Sequence, residues 1–151
     1  IRETRGDFAF GLQAGGNPYY GSIGGLSLKK WFGERFGVQA YGLINPEEGG
    51  TKYQGGGRAL IWIADKVAFD APFSGYIYLG GGGDNLVTDD AEKNVRRNLS
   101  HAGVGIEFSF FGVNGLYTTL ELGAEKQFVQ HSDYTEVKNG MLASGGIHFY
   151  F

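Results

Sequence analysis

Seven residues spaced along the chain have side chains that could take part in charge chemistry: Lys29, Arg58, His101, Glu107, Glu121, Glu125 and His148. Placed together away from water they would have to pair, because a buried charge without a partner is costly. Glu107 and Glu121 fall on consecutive apolar-polar segments and would make a carboxylate pair if they faced each other, the setting for acid/base work or a pH-sensitive gate. Nucleophilic chemistry has two candidates, Ser100 with His101, and the run His131, Ser132, Asp133. The first fails on geometry if it lies on a strand, where adjacent residues point to opposite faces. The second reads as ordinary solvated turn chemistry.

Other classes of chemistry lack their residues. Without cysteine there is no disulfide framework, thiolate metal site or thiol nucleophile, and no spacing of His and carboxylates suggests a metal cage or a cofactor. The glycine clusters 55–57 and 80–83 lack the Lys and following helix of a phosphate-binding loop. A net charge of −3 and the absence of any Lys/Arg run longer than two argue against nucleic acid.

The elements that position these residues are strands. Glycine (28), Phe (12) and Tyr (9) are abundant in 151 residues and only 19% are charged, a composition suited to pleated sheet with bends and opposed to disorder. Period two dominates. Phe8, Phe10, Leu12 and Ala14 alternate with Asp7, Ala9, Gly11 and Gln13; Ala102, Val104, Ile106, Phe108 and Phe110 alternate with His101, Gly103, Gly105, Glu107 and Ser109. The same parity recurs around 23–29, 36–43, 58–64, 73–80, 116–125 and 141–151, which predicts eight strands in one domain spanning 1–151. Segment 58–64 is the least clear, its faces separated mainly by Arg58.

Connections alternate in length: short near 32–35 and 111–115, medium over 65–71, longer and polar over 45–54, 84–98 and 127–139, with a short first loop around 15–20. No apolar run approaches the ~18–20 residues of a membrane helix, a test that does not bear on barrels whose strands need only ~9–11 residues. The bulky face carries Phe8, Phe10, Phe36, Phe73, Phe108, Phe110, Phe149 and Phe151, and the other is dominated by Gly, Ser, Tyr and Glu. Eight strands enclose an interior just wide enough for side chains, so the small polar face belongs inside and the bulky face outside, against lipid. This predicts an all-β, antiparallel up-and-down transmembrane barrel with a polar, plugged interior. Trp31, Phe32, Phe110 and Phe111 beside short turns, with Tyr19 and Tyr20 at the other end, are expected to form outward aromatic girdles.

The last residues, Ser144, Gly146, Phe149 and Phe151, stand as polar, any, Gly, any, any, aromatic, any, aromatic, and resemble the assembly signal of bacterial outer-membrane barrels. In size and layout the chain is similar to the OmpA-type and OmpX-type small barrels, at the level of architecture. The resemblance implies insertion by the barrel-assembly machinery, which reads the last strand by β-augmentation. It also implies contact with outer-membrane lipid and lipopolysaccharide, and termini in the periplasm. The start at Ile1 fits a chain whose export signal has been removed. Function is expected to be structural, anchoring or surface-interactive, through loops 45–54, 84–98 and 127–139. The alternatives are a lipid A-modifying enzyme, whose known motifs do not appear, a small gated pore, or a soluble lipocalin-like barrel. Charged residues of the segment 84–98, Asp84, Asp89, Asp90, Glu92, Lys93, Arg96 and Arg97, are candidates for lipopolysaccharide phosphates, divalent ions or a protein.

Overall fold

The computed structural model describes residues 7–17, 21–33, 35–47, 50–64, 74–88, 95–109, 113, 115–131 and 133–151. They form one antiparallel sheet of eight strands closed in chain order: β1 (Phe8–Asn17), β2 (Gly21–Phe32), β3 (Phe36–Glu47), β4 (Gly50–Ala64), β5 (Ser74–Thr88), β6 (Val95–Ser109), β7 (Leu116–Gln130) and β8 (Thr135–Tyr150). β1 and β8 pair along their length and close the barrel. Closure removes every sheet edge, which would otherwise be a template for aggregation.

The strands are longer than the apolar alternation alone indicated. The expected loop 45–54 is mostly hairpin, paired up to Glu47 and Gly50, and strand pairing also takes in both ends of 84–98 and 127–139. Apolar alternation reports only the character of the two faces, whereas backbone pairing continues with any residue whose N–H and C=O find partners.

The register sets the tilt. Ala9 lies opposite Tyr150 of β8; following its partners the other way, through Lys29, Gln39, Arg58, Gly80, His101 and Glu125, returns to β8 at Gly140, ten residues from Tyr150. A stagger of ten on eight strands, at ~3.3 Å per residue and ~4.8 Å between strands, inclines the strands by roughly 40° to the barrel axis.

Parity holds on every strand where side chains are described. Leu12, Leu26, Val38, Ile61, Leu79, Val104, Leu122 and Ile147 are exposed on the outer wall, while Gln13, Ser27, Lys29, Gln39, Arg58, His101, Glu107, Glu121 and His148 are buried within. The girdle expectation fails for one residue: Trp31 is only 2% exposed and lies inside the lumen, stacked on Trp62 with centroids 4.5 Å apart. Phe32, next to it, does point outward. Tyr19, Tyr20, Phe73, Phe110 and Phe111 lie outside the described residues.

An aromatic core of Trp31, Trp62, Tyr76, Tyr117 and Tyr150, with Ala9 and Leu60, fills the short-turn end. Glycine opposite two of these rings makes room for them. A Cβ on Gly37, the register partner of Trp31, would fall 2.8 Å from Trp31 Cδ2, and one on Gly105, opposite Tyr76, would fall 2.7 Å from that phenol oxygen. Gly33 and Gly115, beside two of the short connections, have left-handed φ of 60° and 83°. Trp31→Ala is expected to lower unfolding stability by about 3–5 kcal/mol, read as a reduced urea midpoint in detergent or lipid, because an interior this filled cannot collapse around the hole.

Candidate functional site

The lumen organises its charges into two tiers. Nearer the short turns, fully buried Lys29 Nζ lies 3.2 Å from Glu107 Oε2, and Tyr150 donates its hydroxyl to the same oxygen at 3.1 Å. Trp31 Nε1 in turn donates to Tyr150 at 3.1 Å, tying the aromatic core to the ion pair.

The second tier is a closed circuit. Arg58 donates from Nη1 to Glu121 Oε2 at 2.7 Å, from Nη2 to Oε1 at 3.2 Å, and from Nε to Gln39 Oε1 at 2.8 Å. Gln39 donates to Gln13 at 3.1 Å and to Ser27 at 2.7 Å; Gln13 donates to Ser144 at 3.3 Å, and Ser144 donates to Glu121 at 2.8 Å. Six strands, β1 to β4 with β7 and β8, are thereby linked through side chains. Tyr76 also donates to Glu121, and the Arg58 guanidinium lies 4.5 Å from the Tyr78 ring centre. A forked guanidinium on a carboxylate, with its Nε donor bonded as well, is the geometry that best offsets the cost of burying such a pair.

Of the seven predicted interior residues, four thus form two ion pairs across the lumen. His148 shares a 2.8 Å hydrogen bond with Ser27. Glu125 accepts from Gln127. His101 sits between Tyr41 and Tyr78, ring centres 6.2 and 5.8 Å away, with neither nitrogen hydrogen-bonded among the described residues. Glu107 and Glu121 do not face each other in register as a carboxylate pair would require. Glu107 is paired in register with Thr119 and Glu121 with Gly105, and each carboxylate has its own cation.

Gln13, Gln39, Ser27, Tyr76 and Tyr150 belong to these tiers and were not singled out from sequence. Their inward parity was legible, but a neutral amide or phenol gives no pairing signal until its partners are placed. Asp84 and Arg97, expected in a loop, face each other on β5 and β6 near the loop end; Arg97 Nε donates to Asp84 at 2.8 Å and Lys52 lies 3.9 Å away.

Two solved structures match the chain. The crystal structure of Neisserial surface protein A has 14% identity over 95% of this chain and 94% of that one, with a TM-score of 0.44. That of Ail, the attachment invasion locus protein of Yersinia pestis, has 13% identity over 94% and 96%, with a TM-score of 0.20. No family model and no curated protein matches the sequence.

The nucleophile candidates are not assembled into a triad among the described residues. Ser100 is on the outer wall and His101 in the lumen. His131 stacks on Tyr134 at 4.4 Å and lies 3.5 Å from Glu136, while Ser132 lies outside the described residues, as do Asp89, Asp90, Glu92 and Lys93. Glycines 55–57 pair with glycines 81–83 across β4 and β5, and Gly80 pairs with Arg58, all as wall and not as a loop. In β8, Ser144 belongs to the lumen circuit, Gly146 faces Gln13 and Thr119, and Phe149 and Phe151 point outward with ring centres 5.8 Å apart.

Proposed function

We propose that this chain is a bacterial outer-membrane barrel with a plugged lumen and a non-enzymatic structural, anchoring or surface-interaction role. The observation that carries the reading is the inverted polarity of the wall. Outward positions on β7 run Leu116, Thr118, Leu120, Leu122 and Ala124 before the first charge at Lys126. Those ten residues rise roughly 25 Å on a strand tilted by ~40°, the height of the apolar band of such barrels.

Among the described outward-facing strand residues, Lys30, Arg96 and Lys126 carry charge. Lys30 is near the β2–β3 turn and the other two lie toward the loop end, so the belt between them is free of charge and its edges are cationic. An apolar surface encircling a molecule is far larger than a water-soluble monomer exposes. Filling of the lumen by ion pairs and rings favours anchoring or display over transport. In this reading β8, with Ser144, Gly146, Phe149 and Phe151, is the strand offered to the assembly machinery. The end holding Phe8 and Tyr150 faces the periplasm, with the termini, and the opposite end, at Glu47, Thr88 and Gln130, is turned to lipopolysaccharide, envelope or host partners.

The purified chain is expected to give a β-type circular dichroism spectrum only with detergent or lipid, and to run faster on denaturing gels unheated than boiled. A folded, detergent-free monomer in solution would overturn the reading.

A further inference from the structure

Above the belt, β4, β5 and β6 enclose a notch of about 580 Å3 on the outer wall. Register arranges its outward residues in two rows. Tyr53, Asn85 and Arg96 form the upper row, and Gly55, Gly83 and Asn98 the lower. Beneath them the outward positions are again nearly bare, with Gly57 opposite Gly81 and Gly81 opposite Ser100, before Leu79 and Ile77 resume the apolar belt. The notch therefore has a cation and amides at its top and a floor of backbone that runs down into the belt. Asp84, between Gly83 and Asn85 in sequence, points into the lumen and is engaged by Arg97, so its carboxylate does not oppose an anion on the wall.

We propose that this notch binds the phosphate-bearing headgroup of an anionic lipid, with an acyl chain lying along the glycine floor. Arg96 presents planar donors suited to phosphate oxygens, and Asn85, Asn98 and Tyr53 add neutral donors around it. Missing side chains on Gly55, Gly57, Gly81 and Gly83 let a chain lie against the wall, where dispersion contact rather than a hydrophobic gain holds it. The proposal rests on the membrane reading above and adds to it a particular lipid site.

The test uses phosphatidylcholine nanodiscs containing a minority of phosphatidylglycerol, with lipids retained on the released barrel counted by native mass spectrometry. Arg96→Gln removes the cation. Gly55→Leu fills the floor, and it fits the fold because a Cβ there meets only the Tyr41 backbone oxygen, at 3.7 Å. Lys30→Gln removes a cation at the opposite edge. Wild type and Lys30→Gln are expected to retain phosphatidylglycerol, and Arg96→Gln and Gly55→Leu to retain at least about tenfold less, the loss of one charge-assisted contact or of the chain's seat. Soluble glycerol phosphate is expected to compete poorly.

Equal retention by Arg96→Gln and wild type, equal retention of phosphatidylcholine, or full competition by glycerol phosphate would each overturn the site. Heat-dependent gel mobility, run on every sample, separates the two failures. An inserted barrel that holds no phosphatidylglycerol ends only this proposal, and a wild type that does not insert ends the membrane reading with it.

Discussion

Leu122→Arg is expected to destabilise the lipid-embedded barrel by about 2–4 kcal/mol, the cost of an arginine at mid-height on a lipid-facing wall. Leu122 is 52% exposed. In a water-soluble protein such a replacement would change stability by no more than about 0.5 kcal/mol, so the sign of the surrounding solvent is read directly from the size of the effect. Val137→Arg supplies the control. Val137 is equally exposed on neighbouring β8 but lies beyond Lys126 toward the loop end, where the expected cost is about 0–1 kcal/mol. Urea unfolding in vesicles, followed by tryptophan fluorescence, measures both. Equal and small effects would mean that no lipid surrounds the belt.

Arg58→Met is expected to cost about 3–5 kcal/mol, because it leaves the Glu121 carboxylate buried without its cation. Methionine keeps much of the stem volume, so the loss reports the charge more than a cavity. The circuit makes a further demand: Gln39 loses the Arg58 donor on its carbonyl, and its own donors to Gln13 and Ser27 are left to hold it. Arg58→Met combined with Glu121→Met is expected to cost much less than the sum of the two single changes, since a tier without either charge no longer holds an unpaired one. Double-mutant cycles by urea unfolding check this, and additive costs would show that the two residues stabilise the barrel independently of each other.

Much of the wall was legible in the chain. Alternation assigned the face of residues as different as Lys29, Leu60 and Phe149, because a pleated strand sends successive side chains to opposite sides whatever surrounds it. Segment 58–64, apolar on both faces, was hard to read for a reason visible in the structure: Leu60 and Trp62 face inward as part of the aromatic core and Ile61 and Ile63 face outward. Proximity to a turn suggests a girdle position for Trp31, but its parity is that of Lys29 and points inward. The loop segments 45–54 and 84–98 were read as loops because their residues are polar, although their backbones continue the ladder.

Partnership was beyond the sequence. Parity says that Lys29, Arg58, Glu107 and Glu121 share an interior, but not at what height. The ten-residue stagger raises each successive strand by roughly 3 Å along the axis, so residues paired in register, such as Arg58 and Gly80 or His101 and Glu125, climb around the wall, and charges at one level meet across the lumen instead. The same register sets Gly37 against Trp31 and Gly105 against Tyr76, giving room to rings that an eight-stranded interior would otherwise exclude. Strand number and face were determined by local sequence, because the pleat is a property of each strand by itself. Ion pairing, core packing and the rows of the outer notch were decided only by closure, because shear is a property of the whole ring.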